Sequence, residues 1–430
     1  MNSVENIVSI SDYLGRKILK KIKADDLCTL PPESRLKIIG GYLKKIIDEE
    51  KIIISRKEIL RLTKEVHEDS FGFGPISFLI KDNRITEIMI NNYDQVYVEK
   101  NAVIEKTDII FRDNIHIRNL VDKTLSPLGL RVDESSPMTD ARLKNGSRIN
   151  VVLNPATSGD IVVTVRKFKK DLMDIESLKK EGTVNKEVAD FIKICVRSKL
   201  NIIVSGATST GKTTFLNVIS NFILQNERIV TIEETLELNL NLPHVVKLEG
   251  RPPNLEGKGE ITIRDLVRNS LRMRPDRIVV GEIRGGEAVD VLQAMNTGHS
   301  GSMTTVHSNS PKDMISRLET MILMSGLNLN PSAARRMIAS SVDMIIHLDR
   351  LKNGKRIIAG ISELKNKYGS MGDNTVLEVK DIFKYTAEDN VADGKELHRG
   401  GINHTGYIPD FMDKIKGKGF NFNFKDEQLE

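Results

Sequence analysis

The run Gly206-Ala207-Thr208-Ser209-Thr210-Gly211-Lys212-Thr213 fits the spacing G-x-x-x-x-G-K-[ST] of a phosphate-binding loop. An apolar strand pattern over 201–204 precedes it and a helical pattern over 212–224 follows, which is the order such a loop requires. Glycines let the backbone curl until successive N–H groups, and the N-terminus of the next helix, face phosphate oxygens. Lys212 adds charge toward the β and γ phosphates, Thr213 offers a hydroxyl to Mg²⁺, and Thr214 ends the binding run. The chemistry implied is binding of ATP or GTP. Hydrolysis needs further groups that ready a water.

Strand-end acids supply the candidates. Val230-Thr231-Ile232 runs into Glu233-Glu234 at the carboxyl edge, where open α/β sheets keep their ligands. A solvated acidic strand end is the competing reading, and Glu237 nearby reads as a surface residue. Arg274-Pro275-Asp276-Arg277-Ile278-Val279-Val280-Gly281-Glu282 is a second short apolar strand ending in a carboxylate. That carboxylate could polarise water or bind Mg²⁺ through a water, or be a plain exposed strand end. The common form of this motif has Asp directly before Glu. Here Gly281 stands in that place, so Glu282 is the catalytic candidate. Thr297-Gly298-His299-Ser300-Gly301 then leads into a β-like stretch over 302–306 that ends at His307. The 8 histidines include no H-x₃-H pair of the metal-binding kind, so His307 reads as a sensor of the γ-phosphate and not as a metal ligand.

These groups need a framework, and the chain is long enough to build one. At 430 residues it exceeds the ~250–300 at which single cores stop growing, so two or three domains are expected. Residues 1–70 read as a helical extension, with Ser55 and Glu58 spaced as a capping box. Residues 71–168 read as an α+β domain with strands over 85–90, 96–99, 109–111, 148–152 and 161–166. A charged connector, Lys167 with Lys169-Lys170-Asp171, opens a linker over 169–185. Helix and strand patterns then alternate across 186–365, which argues for a mainly parallel sheet covered on both faces. The rest, 366–430, has weak periodicity and reads as a peripheral tail.

Composition narrows the function. The net charge of +5, from 64 basic and 59 acidic residues, is slight and dispersed, and with no Trp and 5% aromatics it speaks against a nucleic-acid binder. Two distant cysteines, Cys28 and Cys195, make no zinc module and suit a reducing compartment. No apolar stretch approaches the ~18–20 residues of a membrane span, so a cytoplasmic protein that meets membranes through partners is expected.

Taken in order, the loop, Glu233-Glu234, the 274–287 run with Arg284-Gly285-Gly286-Glu287, and the 297–307 run resemble the secretion ATPase superfamily. The chain looks most like its CpaF family, which powers tight-adherence and related type IV pilus assembly, through Arg131-Val132-Asp133-Glu134-Ser135-Ser136-Pro137 and Ile263-Arg264-Asp265-Leu266-Val267-Arg268. The resemblance implies an α/β, RecA-like P-loop ATPase domain behind an α+β, PAS-like domain and a helical extension. It makes Glu233 and Glu234 the Asp box, Glu282 the Walker B glutamate, and His299 and His307 the His box. It also implies that Arg142, Arg148 and Arg166 line an interdomain cleft and reach ATP phosphates, although by charge alone they read as surface residues. Glu234 departs from the usual Asp, and Ser209-Thr210 stand where the family more often has Gly-Ser. A Mg²⁺-dependent homo-hexameric ring on inner-membrane platform proteins, peripheral to the cytoplasmic face, is the implied assembly. A nucleic-acid-translocating motor and a non-hydrolysing, nucleotide-gated scaffold are the rival readings.

Overall fold

Two amphipathic helices, α1 (Pro32–Glu50) and α2 (Arg56–Phe71), follow from their apolar spacing and start signals. Pro32 opens α1 at the first helical turn, where its missing N–H costs nothing. Ser55 and Glu58 close the capping box on α2: the Glu58 N–H donates to Ser55 Oγ at 3.2 Å, and the Ser55 N–H donates to Glu58 Oε2 at 3.1 Å. Ile39, Leu43 and Ile46 bury against Leu62 and Val66. The computed structural model describes residues 13–15, 17–18, 27, 29–100, 103–143, 145–167, 173–253, 257–368, 375–392 and 395–424. Cys28 and the connector residues Lys169-Lys170-Asp171 lie outside these, as do parts of the expected helical extension and of the expected tail.

The chain divides into two compact units, Met1–Lys170 and Asp171–Glu430. In the first, α3 (Ser77–Lys81) leads into strands β1 (Ile85–Asn92), β2 (Gln95–Lys100) and β3 (Val103–Lys106). Helix α4 (Asn114–Leu125) and strands β4 (Met138–Arg142), β5 (Arg148–Leu153) and β6 (Ile161–Arg166) follow. The six strands form one antiparallel sheet in the order β3-β2-β1-β6-β5-β4. Residues 109–111, expected as a strand, pair with nothing as a strand. Phe111 is buried in the core and its N–H donates to Tyr93 O at 2.7 Å, so that apolar run marks core insertion, not a ladder. The helical stretch is also tied to the α+β part. Asp69 on α2 accepts from Arg112 at 2.8 Å and meets His116 at 3.0 Å, and Lys123 donates to Asp69 O at 2.7 Å at the end of α2.

The second unit begins within the stretch expected as a linker. There α5 (Ile175–Lys180), capped by Asp174, buries Leu178 in the core. Then come α6 (Lys186–Arg197), β7 (Ile202–Gly206), α7 (Lys212–Ser220), β8 (Ile229–Glu233), β9 (Val245–Glu249), α8 (Ile263–Ser270), β10 (Arg277–Ile283) and α9 (Ala288–Asn296). After these follow β11 (Met303–His307), α10 (Pro311–Leu323), α11 (Pro331–Ser341), β12 (Met344–Arg350), β13 (Arg356–Tyr368), β14 (Thr375–Ala392), β15 (Lys395–His404) and α12 (Met412–Gly417). The nine strands run β15-β14-β13-β12-β7-β11-β10-β8-β9. From β12 to β9 every pairing is parallel, and β13, β14 and β15 extend the sheet antiparallel. Strands β7 and β8 are buried at every position, as their unbroken apolar runs require when both faces are covered. On one face Ile202 and Val204 meet α6 and α7, and on the other Ile203, Val230 and Ile232 meet α9, α10 and α11.

Residues 375–424 correct the expectation of a peripheral tail. Phe383 is fully buried beside Phe191, their rings 5.2 Å apart, and Ile382, Ile402, Phe411 and Ile415 join the same core. Their weak periodicity reflects a mixture of long antiparallel strands, turns and a short helix rather than loose chain.

Candidate nucleotide site

The phosphate-binding loop leaves β7 at Gly206 and enters α7 at Lys212. A Cβ on Gly206 would lie 2.6 Å from Leu348 O and 2.7 Å from Thr210 Oγ1, so only glycine fits there. Ser209 and Gly211 hold positive φ, 62° and 90°, which turns the backbone sharply ahead of the helix. Thr210 Oγ1 and Lys212 Nζ each donate to Ala207 O at 2.9 Å, spanning the loop. Thr208 and Thr214 are exposed and Thr213 is half-buried in the first turn of α7.

The sheet brings His307 to this loop. Strand β11 pairs with β7 so that His307 stands opposite Gly206, and the Ser308 N–H donates to Gly206 O at 3.1 Å. Burial, then the charges of Lys212 and Arg317, holds the His307 imidazole below its ordinary value, so it is neutral at pH 7. His299 is not brought to the loop within this chain. It lies before β11, at the opposite end of that strand, with its Nδ1 buried and without a hydrogen-bond partner among the described residues.

The acidic groups gather on the same carboxyl edge. Glu233 ends β8, buried, and its Oε1 accepts from the N–H groups of Glu237 at 2.9 Å and Leu238 at 3.0 Å. Its Oε2 is buried with no partner among the described residues. Burial lifts its carboxyl to about 7 against the two backbone hydrogen bonds, which act to lower it. Gly281 explains the room: a Cβ there would lie 3.0 Å from Glu233 Cγ. The strand that lacks the usual Asp thus accommodates the neighbouring strand's Glu. Glu282 faces Arg284, whose Nη2 donates to Glu282 Oε2 at 2.9 Å and whose Nη1 donates to Glu234 Oε2 at 3.2 Å. The Glu282 hydrogen bond raises the Arg284 guanidinium above its ordinary value.

Arg142, Arg148 and Arg166 belong to the other unit, where the register sets them in one row. Arg142 on β4 pairs with Arg148 on β5, and Arg148 pairs with Arg166 on β6. Directly opposed residues share a face with Cβ atoms ~4.5–5.5 Å apart, so three guanidinium stems lie side by side. Glu87 continues the row on β1, 3.7 Å from Arg166. Like charges so placed repel unless an anion is near.

Sequence reasoning passed over Arg284 as a site residue, although a cation two positions after a strand-end carboxylate was a usable signal. It also passed over His347, opposite Ser205 on β12, whose ring Nδ1 meets Ser205 Oγ at 2.9 Å beneath the loop. Nothing in spacing alone joins residues 205 and 347.

Comparison with known proteins places the chain in a family. A family profile described as "Type II/IV secretion system protein" matches residues 69–380. A putative conjugal transfer protein of Mycobacterium tuberculosis (strain ATCC 25618 / H37Rv) is 33% identical over 325 residues, 74% of this chain and 92% of its own. The type IV secretion system protein VirB11 of Brucella suis biovar 1 is 29% identical over 65% of this chain and 85% of its own. Among solved structures, the VirB11 ATPase of the Brucella suis type IV secretion system, in complex with sulphate, is 28% identical, covering 70% of this chain and 95% of that one with a TM-score of 0.37. The pilus retraction motor PilT with bound ADP is 21% identical, covering 71% and 81%, with a TM-score of 0.47. With the profile spanning most of its length and its loop and strand-end acids gathered on one sheet edge, this chain belongs to the type II/IV secretion system protein family and is an ATPase of that class.

Proposed function

We propose that the chain is the ATP-hydrolysing subunit of a CpaF-type hexameric ring that powers assembly of a tight-adherence-like type IV pilus, or related secretion, by driving an inner-membrane platform protein from the cytoplasmic face. The observation that carries this is the convergence on one sheet edge of the Gly206–Thr213 loop, buried Glu233 and the Glu282–Arg284–Glu234 cluster. Lys212 and the loop N–H groups bind the phosphates, and the Thr213 hydroxyl, with Glu282 nearby, forms an oxygen donor set suited to Mg²⁺. When bound there, Mg²⁺ would supply positive charge to the phosphate oxygens. Glu282, with Glu233, orients the attacking water and takes its proton, Arg284 holds Glu282 and Glu234 side by side, and His307 reads the γ-phosphate. The Arg142-Arg148-Arg166 row, in a unit we read as PAS-like, closes on the phosphates and stabilises charge there.

Among the described residues no helix is long and apolar enough to cross a membrane. The relatives named for conjugal transfer favour a second reading, service to a conjugation-type machine. Co-expression with candidate platform membrane proteins separates the two. The proposal expects a sixfold-mass ring that co-purifies with a pilus-type platform and hydrolyses ATP faster in its presence. Capture only by conjugation components, or a monomer indifferent to any platform, rejects it.

A further inference from the structure

The loop contains a residue in a costly conformation. Ser209 holds φ at 62°, a left-handed backbone that glycine adopts freely and a side chain does not. Arg356, the first residue of β13, reaches it: Nε donates to Ser209 O at 3.1 Å, and Cδ lies 3.2 Å from where a Cβ on Gly211 would stand. One side chain therefore touches both positive-φ positions at the end of the loop. The sheet delivers it there. Strand β12 pairs with β7 as far as Leu348 and Gly206, Arg356 pairs with Arg350 where the β12–β13 hairpin turns back, and the Arg356 carbonyl accepts from Thr183 Oγ1 at 3.0 Å.

We infer that Arg356 is a positioning residue for nucleotide: it pins the Ser209 peptide in the left-handed turn that aims the loop's N–H groups at the phosphates. The role exists because serine stands where glycine would take that turn unaided. Arg356 acts through the loop and not on the reacting atoms, so its contribution falls on affinity. The inference rests on the reading that residues 206–213 bind a nucleoside triphosphate.

The test is a double-mutant comparison in the full chain, with Kd for magnesium-ATP by calorimetry and KM and kcat by phosphate release. Arg356→Ala raises Kd and KM about tenfold, the usual worth of one charge-assisted hydrogen bond, while kcat at saturation changes little. Arg356→Lys recovers part of the loss. In a Ser209→Gly background the same Arg356→Ala change costs about threefold or less, because the backbone no longer resists the turn. Should Arg356→Ala fail to fold, Arg356→Lys in the two backgrounds carries the same comparison. Unchanged affinity in Arg356→Ala overturns the inference, as does an equal loss in both backgrounds, which would place Arg356 on the nucleotide itself, or a fall confined to kcat. A wild-type chain that neither binds nor hydrolyses magnesium-ATP fails at the nucleotide reading instead, before Arg356 is at issue.

Discussion

At the residue scale the site is a problem of placing negative charge beside a triphosphate, and two acids solve it differently. Glu233 is buried and lifted to about 7, while Glu282 accepts a hydrogen bond from Arg284. A carboxyl whose folded value lies above its ordinary 4.5 stabilises the fold fully below about 4.5 and loses that contribution as pH rises through about 7. Glu233→Gln cannot ionise, so its melting temperature should gain on the wild type between pH 5 and pH 8, by on the order of a few degrees. Parallel melting curves across that range would show that Glu233 carries no such penalty. The loop and both strand-end acids were legible because fixed spacing follows from fixed backbone geometry. Arg284, Arg356 and the Ser205–His347 pair were not, since their partners come from turn geometry and strand register.

At the element scale, period and cap signals gave α2 and the strands around the loop, because a continuous apolar run of about five residues has few uses besides a buried parallel strand. They misread residues 109–111, where burial of Phe111 needs no ladder. They also missed the closing antiparallel extension, whose strands β14 and β15 carry no regular alternation of polar and apolar residues. That extension makes its own prediction. A chain stopped after Tyr368 loses Ile382, Phe383, Ile402, Phe411 and Ile415 from the core around Phe191, each side chain worth about 1.5–3 kcal/mol of burial. The truncated protein should be insoluble or should melt at least 10 °C lower on the order of these losses. A tail that only hung from the sheet could be removed with the melting temperature unchanged. Buried Arg277, bidentate on Glu227 at 2.8 and 2.9 Å, closes the opposite end of β10. Arg277→Ala leaves Glu227 only Lys199, 3.0 Å away, and should cost about 3 kcal/mol in denaturant unfolding, against near zero if the pair were solvated.

At the scale of the whole molecule, the chain is built as two units of different architecture. One presents a loop and acids, and the other a row of arginines set by strand register. The division near residue 170 was visible as a change from strand-rich patterns to alternating helix and strand, but which residues a ring would bring together is written in no local pattern. Family membership adds the ATPase activity, and the residue roles are those of the proposal above. The measurement closest to that account is phosphate release from magnesium-ATP by the purified full chain, with bound ATP measured in parallel, for the wild type, Lys212→Ala and Glu282→Gln. The account predicts steady release by the wild type, neither release nor tight binding by Lys212→Ala, and near-normal binding with release reduced by about 10²-fold or more in Glu282→Gln. Wild-type turnover retained by Glu282→Gln would contradict it.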